Sequence, residues 1–251
     1  MSITTRISAL CFLAIFTLIL STAGCKENSN GSVKVTNRFF TEKELLLSVA
    51  IDADDRGAVK KAIKGGINVN VRGRYNVTPL MVAVDNLKQQ AAAELLEQGA
   101  DPNLKADDGA SAVSLAVENY RRAPEILFML LSTGGDPNIR QPDNDPVIMR
   151  FIDDRNCEYI GKMKEFGADL DILTRGDDPI ITSASVRRDW DIVWCLLELG
   201  AKYDYEQTSR SPISRSLAST FPSPDSPIYP YKVKVWEFLK SHGIAVPPLN
   251  K

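Results

Sequence analysis

Apolar residues recur at helical spacing in short bursts along most of this 251-residue chain. Leu80, Val82, Ala83 and Val84 form one burst, Ala93, Leu95 and Leu96 the next, and Ile192, Val193, Leu196 and Leu197 another. Each predicts the buried face of a short helix. The bursts come in pairs, and each pair ends at a glycine. Gly66, Gly99, Gly134, Gly167 and Gly200 stand 33, 35, 33 and 33 residues apart. Glycine closes a helix because it enters the left-handed conformation without a Cβ clash.

Polar residues repeat in the same register. Each glycine opens a near-copy of one phrase, such as Gly99-Ala100-Asp101-Pro102-Asn103 or Gly167-Ala168-Asp169-Leu170-Asp171, which reads as a turn. About twenty residues before each glycine a second phrase recurs: Thr78-Pro79-Leu80, Ser111-Ala112-Val113, Asp145-Pro146-Val147, Asp178-Pro179-Ile180 and Ser211-Pro212-Ile213. Ser, Thr or Asp there is expected to cap a helix that starts on Pro, where a missing N–H does no harm.

A period of 33 with these two phrases resembles the ankyrin repeat. The family's Thr-Pro-Leu-His carries a structural His that this chain replaces with Met81, Ser114, Ile148, Ile181 and Ser214. The resemblance implies an all-α ankyrin-repeat solenoid of about six helix pairs with short β-turn fingers, spanning residues 40–251. The terminal units are atypical, as end repeats tend to be. The first is expected to hold helices near residues 42–53 and 58–64. The last carries a Pro-rich insert at 221–230, with a helix expected at about 231–242.

The amino terminus reads as an address. Arg6 precedes an uncharged apolar run that is short for a membrane span and right for a secretory signal. Ser21-Thr22-Ala23-Gly24-Cys25 resembles a bacterial lipobox, with Thr22 where Leu is usual. The resemblance implies a signal at residues 1–24, lipid on Cys25 and a flexible tether through residue 39. Lys26, rather than Asp, implies the outer membrane, facing the periplasm. The alternative is an ordinary cleaved signal with an incidental cysteine.

Composition and chemistry narrow the function. Loss of Arg6 with the signal leaves 29 basic and 32 acidic side chains, which gives no electrostatic footprint for nucleic acid. His242 is the chain's one histidine, placed before Gly243 where a helix dipole would favour it. No standard zinc site, serine-hydrolase motif or phosphate loop can be assembled. Asp52-Ala53-Asp54-Asp55-Arg56-Gly57 has the spacing of a calcium loop, but Ile63 stands where its bidentate Glu is required. No catalytic residue, cofactor or metal is expected.

Cys157 and Cys195 are the thiols left after processing. By repeat register Cys157 starts one second helix and Cys195 lies deep in the next, five residues out of step. That is about 7.5 Å along the axis, so separate thiols are expected rather than a bridge.

The ankyrin resemblance also implies where a partner binds. Loops project as fingers at residues 70–77, 103–110, 138–144, 171–177 and 204–210, and first helices form a palm. The candidate contacts are Arg72, Arg74, Tyr75, Lys105, Asp107, Arg140, Asp143, Arg175, Asp177, Tyr205 and Glu206 on the fingers. Asp85, Asn86, Glu118, Asn119 and Tyr120 are the candidates on the palm. The expected function is that of a lipid-anchored periplasmic binder, monomeric before it meets its protein partner. Its size and anchor resemble immunity proteins that occlude type VI secreted toxins, notably lipases. The alternative is an envelope scaffold or a stress-defence partner of a periplasmic enzyme.

Overall fold

A computed structural model describes residues 44–205, 213–219 and 222–249. The signal, Cys25, the tether, Glu206 and Phe221 lie outside the described residues. Among the described residues twelve α-helices follow one another as six antiparallel pairs, with one 3-10 turn at Arg74–Asn76. They are α1 (Leu45–Asp52) with α2 (Arg56–Lys64), α3 (Pro79–Asp85) with α4 (Gln89–Glu97), and α5 (Ala112–Glu118) with α6 (Pro124–Ser132). The remaining pairs are α7 (Met149–Asp153) with α8 (Cys157–Glu165), α9 (Ile180–Arg187) with α10 (Trp190–Glu198), and α11 (Ile213–Leu217) with α12 (Tyr229–Ser241). Among the described residues β structure is confined to two isolated bridges, Arg140 to Pro146 and Leu173 to Pro179. No described helix is long and apolar enough to cross a membrane.

The period is set by backbone geometry. Gly66, Gly99, Gly134, Gly167 and Gly200 all take φ between 86° and 96°, a region that other residues enter at a steric penalty. Each ends a second helix and turns the chain toward the next pair. The core is one continuous layer between the helix rows, running from Leu47 and Ile51 through Val84, Leu127 and Phe151 to Trp190, Leu196 and Val235. No pair could bury this surface alone, which is why the repeats stack.

An asparagine ladder ties the turn phrases together. Asn70 Nδ2 donates to the Gly99 carbonyl at 3.1 Å, and Asn70 Oδ1 accepts from the Asp101 amide at 2.9 Å. Asn103 repeats both bonds with Gly134 and Asp136, and Asn138 with Gly167 and Asp169. Asp171 comes next and keeps only the acceptor half, taking the Lys202 amide at 2.8 Å. A carboxylate has no N–H to offer, so the second bond of the ladder stops there.

The expected caps hold in part. Thr78 Oγ1 accepts from the Met81 amide at 3.3 Å with Pro79 as the first helical residue. Ser111 and Ser114 form a reciprocal box, each hydroxyl accepting from the other's amide. Ser114 thus fills the family's His position with a working substitute. Asp145 and Asp178 do not cap helices. Pro146 and Pro179 belong to the finger bridges instead, and α7 and α9 start later, without a side-chain cap. The Asp145 carboxylate turns to Arg175, accepting from its amide at 2.8 Å. The last helix starts at Tyr229, two residues early, because Pro230 fits a helix's first turn.

The calcium-like stretch is structural. Asp55 caps α2 by accepting from the Ala58 amide, Asp54 accepts from the Ala91 amide, and Arg56 pairs with Glu94 and Glu97. His242 caps α12, its Nδ1 2.8 Å from the Phe238 carbonyl and its ring 4.2 Å from the Phe238 ring.

The expectation of two separate thiols is overturned. Cys157 and Cys195 form a disulfide with their Cα atoms 6.0 Å apart. The five-residue offset is real: Cys157 is the first residue of α8 and Cys195 the sixth of α10. What fails is the assumption that outer helices stack at the repeat period. Finger-layer neighbours are 29 to 34 residues apart, as in Asn70 with Gly99 and Tyr205 with Asp171. Outer-helix neighbours run from 34 to 41 apart, as in Lys60 with Glu94 and Arg56 with Glu97, and Arg56 with Glu94 stands at 38. Each outer helix therefore meets the middle of the next with its amino-terminal end, and the offset brings the cysteines together.

Candidate protein-binding face

The first four fingers are small closed loops built on one pattern, and residues 206–210 of the fifth lie outside the described residues. The amides of Gly73, Ala106, Gln141 and Thr174 donate to the carbonyls of Val77, Ala110, Asp145 and Asp178, all between 2.8 and 2.9 Å. Asn76, Gly109, Asn144 and Asp177 occupy the left-handed position that lets each tip reverse. The first two fingers are joined by the bond from the Asp107 amide to the Tyr75 carbonyl, 2.9 Å. The row is thus held by backbone bonds, leaving side chains on its rim to meet a partner.

Some predicted contacts are partly occupied in holding that row. Arg72 donates to the Lys105 carbonyl at 2.9 Å, and Arg140, at the same register two repeats later, to the Leu173 carbonyl at 3.0 Å. Arg175 pairs with Asp143 at 3.3 Å and Asp145 at 3.5 Å. Asp107 accepts from Asn76 Nδ2. Asp177 is a turn-closing residue as well as an exposed one. The Tyr205 hydroxyl donates to Asp171 Oδ1 at 3.0 Å. Burial first, then that carboxylate, push its ionisation well above the ordinary tyrosine range. Tyr205 therefore props the place where the ladder loses its donor.

Other predicted contacts stand outward. Arg74 lies over the Tyr75 ring at 4.8 Å, and Tyr75 is 44% exposed at the tip of the first finger. Lys105 and Asp107 are exposed on the second finger. Asp85 and Asn86 are exposed at the end of α3 and Glu118 at the end of α5, with Asn86 and Asn119 also bonding back to Val82 and Leu115.

Tyr120 is a correction. Its ring is buried, 4.9 Å from the Phe151 ring and 4.8 Å from that of Tyr159, and its hydroxyl donates to Asp154. It belongs to the core. The sequence placed it on the palm because it follows Glu118 and Asn119, but the chain has turned inward by then.

The palm is more charged than its sequence candidates indicate. Burial raises Asp85 above the ordinary carboxylate range, with Arg122 opposing. Burial also raises Glu118, and the charges of Asp85, Asp108 and Asp143 reinforce it against Arg150. Asp153 is raised by burial and by Asp145 and Asp154, against Arg187 and Arg150. A groove of about 360 Å³ opens here between Met149, Asp153, Arg175, Ser183 and Arg187. Asp108, Asp153 and Arg187 were missed by the sequence reading. For Asp153 and Arg187 the signal was a charged last residue, which they share with Asp52, Asp85 and Glu118 at the ends of the earlier first helices, whereas Asp108 lies on the second finger.

Comparisons with known proteins agree with this geometry. A model of the ankyrin repeat family matches residues 75–107. An ankyrin repeat protein of Fowlpox virus (strain NVSL), FPV031, is 30% identical over 57% of this chain and 42% of its own length. Phosphocholine transferase AnkX of Legionella pneumophila is 22% identical over 79% of this chain and 22% of its own. The chain thus spans less than half the length of either relative. The human ASB11 ankyrin repeat domain superposes with a TM-score of 0.54 at 22% identity, covering 80% of this chain and 84% of the other. The described residues therefore form an ankyrin-repeat solenoid.

Proposed function

We propose that this chain is a lipid-anchored protein-binding module of the bacterial periplasm, and that it works as an immunity protein occluding a secreted antibacterial toxin. The observation that carries the binding reading is the finger row. Backbone bonds and the asparagine ladder fix the loops, so Arg74, Tyr75, Lys105 and Asp107 meet a partner with little ordering left to do. The palm below adds the exposed carboxylates of Asp85, Glu118 and Asp153, which a complementary surface would neutralise. Ankyrin repeats are typically interaction modules, and the action proposed is occlusion rather than turnover.

The address rests on the lipobox-like Cys25. The Cys157–Cys195 disulfide supports it, because such bonds persist in oxidising compartments such as the bacterial periplasm. A toxin that attacks lipid must be met beside the membrane, and a tethered binder is concentrated there. The test is co-purification with the product of the neighbouring gene, with deletion of this chain in a toxin-armed population. Stable capture and sensitivity to sibling attack are expected. Full resistance after deletion would refute the immunity reading, and turnover in a hydrolase screen would refute occlusion as the mechanism.

A further inference from the structure

We propose that the Cys157–Cys195 disulfide is a redox-controlled clasp that couples the two carboxy-terminal helix pairs to the rest of the stack. Burial is unequal along the row of outer helices. Outer helix α8 buries only Ile160 and Met163. Its neighbour α6 buries Ile126, Leu127, Leu130 and Leu131, and α10 buries Trp190, Ile192, Val193, Cys195, Leu196 and Leu197. Gly161 lies in the middle of α8, where glycine weakens a helix. A Cβ there would meet Leu199 at an ordinary 3.8 Å, so close packing does not demand the glycine. The partner helix α7 has five residues and no side-chain cap.

The same junction is where the asparagine ladder loses its donor at Asp171. Other ties across it include the pairs of an exposed Arg155 with the half-buried Asp189 and Asp191, and the exposed Lys164 bond to the Leu199 carbonyl. Exposed ion pairs contribute little. In a stack, stability is a sum of repeat and nearest-neighbour terms, so a weak internal pair divides the chain into two blocks. Helix α2 also buries just two residues, Val59 and Ala62, but α2 lies in the first described pair, where opening frays one end. At α8 opening would release everything from α9 onward. The disulfide spans that junction, the one covalent cross-link among the described residues.

The clasp has one accessible side. Cys157 is exposed and Cys195 is 2% exposed. A dithiol reductant would attack Cys157 Sγ as a thiolate, breaking the S–S bond and expelling the Cys195 thiolate, which takes up a proton. The reductant's second thiol then displaces Cys157 from the mixed disulfide. The products are two protein thiols and an oxidised dithiol, with two electrons and two protons transferred.

Hydrogen exchange on the full chain in detergent, with and without dithiothreitol, tests this. Reduction, verified by alkylation of both thiols after quenching, should lower protection in α9 to α12 on the order of a hundredfold, while α1 to α6 keep theirs. Cys157→Ser should match the reduced chain and no longer respond to dithiothreitol. Equal loss in both halves, no loss in either, or wild-type protection in Cys157→Ser would each overturn the clasp. If the variant does not fold, the reductant arm on the wild-type chain decides alone.

Discussion

Two junctions in this stack occupy the same place and are closed by different chemistry. Arg56 is the first residue of α2 and Glu94 the sixth of α4. Cys157 and Cys195 stand at those same positions of α8 and α10, and both pairs are 38 residues apart. Both α2 and α8 bury only two side chains, fewer than α4, α6 or α10. Where a helix offers little apolar surface, a directed link stands at its amino-terminal end. The links answer to different conditions. The ion pair joins a 45% exposed Arg56 to a 1% exposed Glu94, so it senses acid and salt. The disulfide senses reductant and neither of those.

The largest break in this comparison is loss of the disulfide. Cys157→Ser is expected to lower stability by about 2–4 kcal/mol in urea titrations, within the range for loops of this length. The equivalence can then be inverted. Arg56→Cys with Glu94→Cys should oxidise to a new cross-link, found as a linked peptide before reduction. The oxidised form should exceed its own reduced form by about 2–4 kcal/mol. Failure to cross-link would mean that the two positions are not geometrically equivalent.

The ladder supplies a smaller effect. Asn103→Asp keeps the acceptor for the Asp136 amide and removes the donor to Gly134, as the chain already does at Asp171. A loss of about 1 kcal/mol is expected in the same titration. The acid response should be smallest. Burial pushes the Glu94 carboxyl up, but bonds from Arg56 and Gln98 and the charges of Lys60 and Arg56 outweigh it and hold it below its ordinary value. Its contribution is therefore full above about pH 4.5, the ordinary value, and is lost as pH falls through the lower folded one. Asp85, Glu118 and Asp153 are shifted the other way and favour the fold as they protonate. Global melting would mix these opposed terms, so local exchange in α2 and α4 is the measurement. Protection, taken relative to the intrinsic exchange rate at each pH, should fall there on acidification and not across the α8–α10 junction.

The fold was legible because its repeating unit needs particular residues. Gly99 or Gly167 marks a positive φ, and Thr78-Pro79 marks a cap, whatever surrounds them. Contacts between repeats were less legible. The sequence shows the period of the chain but not the slope of one outer helix on the next, and that slope joins Cys157 to Cys195 and Arg56 to Glu94. The finger candidates divide along the same line. Tyr75 was readable as an exposed tip, whereas the support Tyr205 gives to Asp171 depends on a neighbour 34 residues away. Tyr120 was misplaced because a tyrosine after two polar residues gives no sign of turning inward.

The central claim is that the finger-and-palm face captures one protein. Titration calorimetry of the full chain against the neighbouring gene's product tests it most directly. A saturable one-to-one isotherm is predicted, weakened roughly a hundredfold by Asp85→Arg with Glu118→Arg and unchanged by Glu125→Arg on the outer helix α6. No binding, or binding lost to Glu125→Arg and kept by the palm variant, would contradict it.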